Sequence, residues 1–325
     1  MYTKFYGFSR RPFQLTPDAR FFFESTVHRQ AMSYLVYGLH HAEGFIVVTG
    51  EVGAGKTILV DNLLATIKNN EFVAAKIVTT QLAGDDFLHM VAGAFGLQEE
   101  NLAKGSLLKR IADFVVAQHR SGRRALLIVD EVQNLPFEAL EELRMLSNVV
   151  ADKTMALQSF LLGQPQFRKT LGSPELEQLR QRVTAAYHLG PLNETETRAY
   201  VEHRLRCADW KNDPCLTEDC FPAIYKYTGG VPRRINTLCS RLLLYGFLES
   251  LHTLSGEAAE KVAIDLLREM AVVTEHSAIT GNASAALTEL LPELGTRLSA
   301  LERSADRHER MLKRVIAACA NFFLN

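Results

Sequence analysis

The chain has 325 residues, 47% hydrophobic and 22% charged, with Lys+Arg 36 against Asp+Glu 37 for a formal net charge of -1. This excludes a mainly disordered chain, allows two or three domains, and leaves no global basic bias, so nucleic acid is not an expected partner. Five cysteines with no Cys-x-x-Cys argue against a disulfide framework, and the absence of a signal core or an apolar run of about 18 residues predicts a soluble, cytoplasmic chain.

Residues 1–23 are rich in aromatics and turn formers, including Arg11-Pro12-Phe13 and Thr16-Pro17-Asp18. Proline disfavours helix in the residue before it, so this stretch reads as an irregular lead-in. A helix is predicted over 24–41, with Ala31, Leu35, Gly38 and Leu39 on one face. Strand and helix signals then alternate. Strands are predicted at Phe45–Val48, Val73–Val78, Leu126–Val129, Leu157–Leu162 and Val183–Leu189. Helices are predicted from Gly55, up to Ala94, over Ser106–His119 and over Phe137–Val149. Apolar strands separated by helices call for a parallel sheet covered on both faces, a three-layer αβα domain over 1–190.

Beyond Pro191 the pattern becomes helical: Thr195–Ala208, Leu216–Thr228, Pro232–Leu248 and Ser255–Met270. No strand is expected in this second unit, 191–270. Residues 271–286 are rich in small residues, Thr and Ser, and read as a linker. In 287–325 Leu291, Leu294, Leu298, Leu301, Ala305, His308, Leu312, Val315, Cys319 and Phe322, all but His308 apolar, recur by threes and fours. That predicts a C-terminal helix, either a short coiled coil or an amphipathic helix docked on its own chain. Its basic residues and Phe322-Phe323-Leu324 end raise a peripheral contact with an anionic inner-membrane surface, against ordinary helix solubility.

Two motifs carry chemistry. Gly50-Glu51-Val52-Gly53-Ala54-Gly55-Lys56-Thr57 fits G-x-x-x-x-G-K-[ST] between a strand and a helix, with Ile58 next. Glycines let backbone N–H groups turn inward around phosphate oxygens, and the helix N-terminus favours an anion. Lys56 is expected to reach the β- and γ-phosphates and the Thr57 hydroxyl to ligate Mg²⁺. Ala125 to Asp130-Glu131 supplies the second motif, with carboxylates where a buried strand should emerge. Asp130 is placed for the Mg²⁺ shell and Glu131 to polarise an attacking water. Together they predict a nucleoside-triphosphate-hydrolysing site with Mg²⁺ as cofactor. Pro17 and nearby aromatics either wall the base or pack in the core. His203, Cys207, Cys215 and Cys220 do not have zinc-site spacing.

The chain resembles the AAA+ ATPases of the general secretion pathway protein A (ExeA/GspA) group, and most of all their soluble relatives associated with exosortase/PEP-CTERM and exopolysaccharide gene clusters. The resemblance covers about residues 1–270. It rests on Phe8 to Phe13 with Leu15-Thr16-Pro17-Asp18, on Glu43-Gly44-Phe45 and Gly50 to Thr57, and on Asp130-Glu131-Val132-Gln133-Asn134-Leu135. It rests also on Leu162-Gly163-Gln164-Pro165, on Leu179-Arg180-Gln181-Arg182-Val183 and on Gly229-Gly230-Val231-Pro232-Arg233-Arg234-Ile235-Asn236. It implies an AAA+ domain followed by a helical lid, with ATP and Mg²⁺ as ligands. Gln164 then resembles sensor 1, Arg182 (or Arg180) an arginine finger acting on a neighbouring subunit, and Arg233 sensor 2. The implied partners are further copies of the chain, in a ring or smaller oligomer, and an envelope export or polysaccharide machinery. A nucleotide switch and a DNA-transposition adaptor are the alternatives.

Overall fold

The computed structural model describes residues 1–16, 18–41, 44–67, 71–79, 87–97 and 103–269. Pro17, the 271–286 linker and the 287–325 helix lie outside the described residues. Residues 1–263 form one compact unit; 264–269, which are helical, belong to a second.

Five strands form the main sheet: β1 (Phe45–Gly50), β2 (Phe72–Val78), β3 (Arg124–Asp130), β4 (Leu157–Gly163) and β5 (Val183–Leu189). Every pairing is parallel and the spatial order is β2-β3-β4-β1-β5. The inner strands β1 and β4 are buried throughout, and β3 nearly so. Parallel strands covered on both faces need continuous apolar runs, which is why Phe45–Val48 and Leu126–Val129 were readable as strands.

One face is covered by α1 (Thr26–His41) and α2 (Lys56–Thr66). Ala31, Leu35 and Leu39 of α1 meet Ile46, Val48, Leu59, Leu126 and Phe160 there. Gly38 lets α1 come close, since a Cβ on it would stand 2.4 Å from Ile46 Cγ1. The other face is covered by α3 (Phe87–Ala94), α4 (Lys104–Arg120) and α5 (Phe137–Leu146), which enclose Phe45, Leu127, Val129 and Leu161. The result is the three-layer αβα domain that the strand pattern predicted.

The lid contains α6 (Glu194–Arg206), α7 (Cys220–Thr228) and α8 (Pro232–Leu248), and residues 256–269 are helical. Asn193 caps α6: its side chain accepts from Glu196 N, while the Glu196 carboxylate accepts from Asn193 N. Pro232 occupies the first turn of α8, where its missing N–H costs nothing.

Two details differ from the sequence expectation. The lid holds a two-residue parallel pair, Cys215–Leu216 with Thr253–Leu254, and α7 starts at Cys220 rather than Leu216. Helix α5 stops at Leu146, and Val150–Ala151 pairs with Thr154–Met155 around Asp152 and Lys153, both at positive φ. Such short pairs are set by tertiary surroundings rather than by periodicity.

The lead-in runs along the lid before joining α1. Tyr6 Oη donates to Leu251 O, and Ser9 N to Ala208 O. Arg204 of α6 holds it further on, donating from Nε to Pro12 O at 2.7 Å and from Nη2 to Gln14 O at 3.0 Å. Its guanidinium lies 4.6 Å from the Phe21 ring centroid.

Candidate nucleotide site

In a parallel sheet every strand delivers its carboxyl end to the same edge, where ligands bind. Here β1 runs into the glycine loop, β3 ends at Asp130 and β4 ends next to Gln164. A cavity of about 370 Å³ opens at this edge. The glycine loop and α2 face it with Val52, Gly53, Gly55, Lys56, Thr57 and Ile58; Glu131 also borders it. The lead-in contributes Leu15 and Thr16, and the lid contributes Tyr200, Arg204, Arg233 and Asn236. Pro17 lies outside the described residues.

The loop's conformation follows from its glycines. Gly53 and Gly55 have φ of 84° and 100°, a region that a Cβ disfavours. Ala54 N donates to Glu51 O at 3.1 Å, which tightens the turn. Gly50 lies against β5, where a Cβ would come 2.8 Å from Leu189 O. Helix α2 begins immediately after, so its first free N–H groups point towards the cavity.

Lys56 is 5% exposed. Its Nζ donates to Gly50 O at 2.8 Å and to Glu51 O at 3.1 Å. Burial pushes its ammonium below the ordinary lysine range, against the pull of Glu131, Asp130 and Glu51. A cation held dry at the mouth of a glycine loop is suited to a phosphate.

Thr57 Oγ1 donates to Asp130 Oδ2 at 2.6 Å. Asp130 is buried, and its Oδ1 accepts from Glu131 N at 2.9 Å. A hydroxyl and a carboxylate oxygen thus converge, the hard-oxygen donor set that suits Mg²⁺. The residues present fit that ion.

Glu131 sits in the left-handed region, φ 57°, which turns its side chain off the end of β3. Its Oε2 accepts from Gln133 Nε2 at 2.6 Å and from Gln164 Nε2 at 3.2 Å. The structure therefore brings Gln164 to the site through Glu131. Arg233 reaches the loop directly: its N donates to Gly53 O at 3.2 Å. A Cβ on Gly53 would stand 2.2 Å from Arg233 Cβ.

Arg182 is not at this edge. It precedes β5, at the amino ends of the strands, and its Nη1 donates to Ser147 Oγ at 2.9 Å. Arg180 is exposed, with Nη1 donating to Gly172 O. Neither borders the cavity of its own chain.

Several site residues had no signal in the motifs. His28 of α1 lies beneath the loop, and a Cβ on Gly55 would come 2.7 Å from its Nε2. Its Nδ1 lies 2.7 Å from Ser25 Oγ. Burial holds it below the ordinary histidine range, opposed by a hydrogen bond to the Ala54 backbone and by Glu196. Glu196 joins the layers, accepting from Thr26 N at the start of α1 at 2.8 Å. Tyr200 and Arg204 are one turn apart on α6, and Tyr200 Oη donates to Asn236 Oδ1 at 2.9 Å. The i, i+4 and i, i+3 spacings of Tyr200/Arg204 and Arg233/Asn236 were the available signal.

A glycine-loop strand inside a β2-β3-β4-β1-β5 parallel sheet, flanked by β4 and β5, with a helical lid bearing on the loop, defines the P-loop AAA+ fold. Comparison with known proteins agrees. Residues 39–171 match the family described as AAA domain. The chain is 38% identical over 253 residues to general secretion pathway protein A of Aeromonas hydrophila, covering 78% of this chain and 46% of that protein. It is 31% identical over 129 residues to the Mu-like prophage FluMu DNA transposition protein B of Haemophilus influenzae, covering 40% of this chain and 42% of that one. The chain thus spans under half the length of the curated relatives it matches. Among solved structures, the ORC2 protein of Aeropyrum pernix in its ADPNP–ADP complexes aligns with TM-score 0.59 at 16% identity, over 78% of this chain and 71% of that one. Cdc6p from Pyrobaculum aerophilum aligns with TM-score 0.59 at 16% identity, over 76% and 70%. These two share the fold. Residues 39–171 thus carry an AAA domain in a P-loop αβα fold, and 253 residues of the chain are similar to general secretion pathway protein A.

Proposed function

We propose that the chain is a Mg²⁺-dependent ATPase whose hydrolysis drives or switches assembly of an envelope export or exopolysaccharide system. The observation that carries the hydrolytic reading is the convergence of Lys56, Thr57 and Glu131 on one cavity at the strand ends, with the buried Asp130 carboxylate held to Thr57 behind it. The loop N–H groups and Lys56 bind the phosphates and offset their charge. Thr57 and Asp130 would hold Mg²⁺, which would supply positive charge to offset that of the phosphates. Glu131 polarises a water so that its oxygen bonds to the γ-phosphorus while the bridge to the β-phosphate breaks, giving ADP and phosphate. Arg233 and Gln164 act as sensors of the nucleotide.

Arg182 serves a neighbouring subunit in this reading, because it stands away from its own cavity. The export part of this reading is supported by the similarity to general secretion pathway protein A over 253 residues. Among the described residues, no helix is long and apolar enough to cross a membrane. The match to a DNA transposition protein supports a second reading, a transposition adaptor. Stimulation of hydrolysis by duplex DNA with a steep salt dependence would favour it.

The test is Glu131→Gln, which should bind ATP like the wild type and hydrolyse it at least about a hundredfold more slowly. Wild-type turnover would remove that role. Arg182→Ala should keep nucleotide affinity and lose turnover per subunit; unchanged turnover at every protein concentration would remove the finger in trans.

A further inference from the structure

We propose that Gln133 is a positioning residue that aims the Glu131 carboxylate, a role that rests on the reading of Glu131 as the water-polarising group. Backbone geometry alone does not aim it. The left-handed φ of Glu131 throws the side chain off the strand end, but its terminal torsion is broad and must be held by partners. Among the described residues two donors reach the carboxylate and both fall on one oxygen: Gln133 Nε2 at 2.6 Å and Gln164 Nε2 at 3.2 Å, both to Oε2. Among the described residues no hydrogen bond reaches Oε1. Glu131 borders the cavity while Gln133 does not.

The orientation of the Gln133 amide is forced. Gln164 N is a donor only, so the atom facing it at 2.9 Å must be the amide oxygen, and the NH₂ must face Glu131. The same NH₂ lies 3.5 Å from Asn134 Oδ1, and Asn134 Nδ2 donates to Thr79 O at 2.9 Å, just beyond β2. Thr79 Oγ1 in turn lies 2.9 Å from Asp130 O and 2.7 Å from Glu131 O. Gln133 is therefore fixed to the end of β4 on one side and, through Asn134, to the end of β2 on the other. Gly163 permits the approach: a Cβ there would come 2.8 Å from Val132 Cγ1 and 3.3 Å from Gln133 Oε1. Without Gln133 the carboxylate keeps, among the described residues, only the longer amide contact from Gln164.

The consequence is a loss in turnover rather than in nucleotide binding. Gln133→Ala should lower kcat by about ten- to a hundredfold, the scale of a misplaced reacting group. The Kd of a non-hydrolysable fluorescent ATP analogue and the melting temperature should stay close to wild type. Gln133→Glu keeps the shape but sets a second carboxylate against Glu131, so its loss should be at least as large. In the Glu131→Gln background, removing Gln133 should not lower the residual rate further, because the group it aims is already gone. In the nucleotide-free chain, Glu131→Ala should shift the side-chain amide resonances of Gln133 and Gln164. Wild-type kcat in Gln133→Ala, an equal further loss in the Glu131→Gln background, or unshifted amide resonances would each overturn the positioning role. Absence of hydrolysis by the wild-type chain would instead overturn the ATPase reading, and the amide resonances would still decide the contact.

Discussion

Gly53 offers a measurable link between the phosphate loop and the lid. Gly53→Ala adds one carbon at φ 84°, in the region where an L side chain costs about 1–2 kcal/mol. That carbon would stand 2.2 Å from Arg233 Cβ and 2.9 Å from its Cδ. Carbon atoms rest no closer than about 3.5 Å, so loop and lid must separate by about 1.3 Å. A Cβ–Cβ clash cannot be relieved by a rotamer change, because both atoms are fixed to backbone. The bond from Arg233 N to Gly53 O, now 3.2 Å, would then break, costing about a further 0.5–1.5 kcal/mol. Gly122→Ala is the control. Its φ is 81°, but nothing lies within 4 Å of its added carbon. It should therefore show the backbone penalty alone. Thermal unfolding should place Gly53→Ala below Gly122→Ala by about 2–4 °C for each kcal/mol of difference. A fluorescent nucleotide should bind Gly53→Ala at least about tenfold more weakly, because Arg233 moves with the lid, and Gly122→Ala as tightly as wild type. Equal melting temperatures and equal affinities for the two variants would refute the claim that the lid bears on the loop through this glycine.

Two further outcomes are expected. Thr57→Ala should shift the Mg²⁺ dependence of nucleotide binding to higher concentration by about tenfold, since one oxygen of the donor set is lost; an unmoved Mg²⁺ titration would remove Thr57 as a ligand. Glu196 reports on the joint between α1 and the lid: partial burial raises its carboxyl, but bonds from Thr26 and Asn193 outweigh this and hold it below the ordinary glutamate range. A lowered carboxylate stabilises the fold above its unfolded value of about 4.3 and loses that contribution as pH falls through the folded value. Glu196→Gln should therefore melt roughly 2 °C below wild type at pH 7, and the gap should close as pH falls from the unfolded value through the lowered folded one; a gap independent of pH would show that the charge is not what joins the two elements.

The sequence by itself determined the sheet and the chemistry of its edge. Strands buried on both faces must be written as unbroken apolar runs, so Phe45–Val48, Leu126–Val129 and Leu157–Leu162 announced themselves, and the glycine loop and Asp130-Glu131 were local in sequence. Roles that depend on distant contacts were not legible in the same way. The lead-in read as irregular, and nothing in its composition said that Arg204 would hold Pro12 and Gln14 along the cavity's rim. His28 looked like one more residue of an amphipathic helix until the fold put its imidazole beneath Gly55. Gln133 stood inside a readable motif without a role, because its partner Gln164 is 31 residues away. The small pair Cys215–Leu216 with Thr253–Leu254 joins segments that share no periodic signal. Periodicity and motif are properties of neighbouring residues, whereas a hydrogen bond between two strand ends exists only once the sheet has aligned them. The sequence therefore named the groups proposed to meet a phosphate, and tertiary structure decided which side chains hold those groups in place.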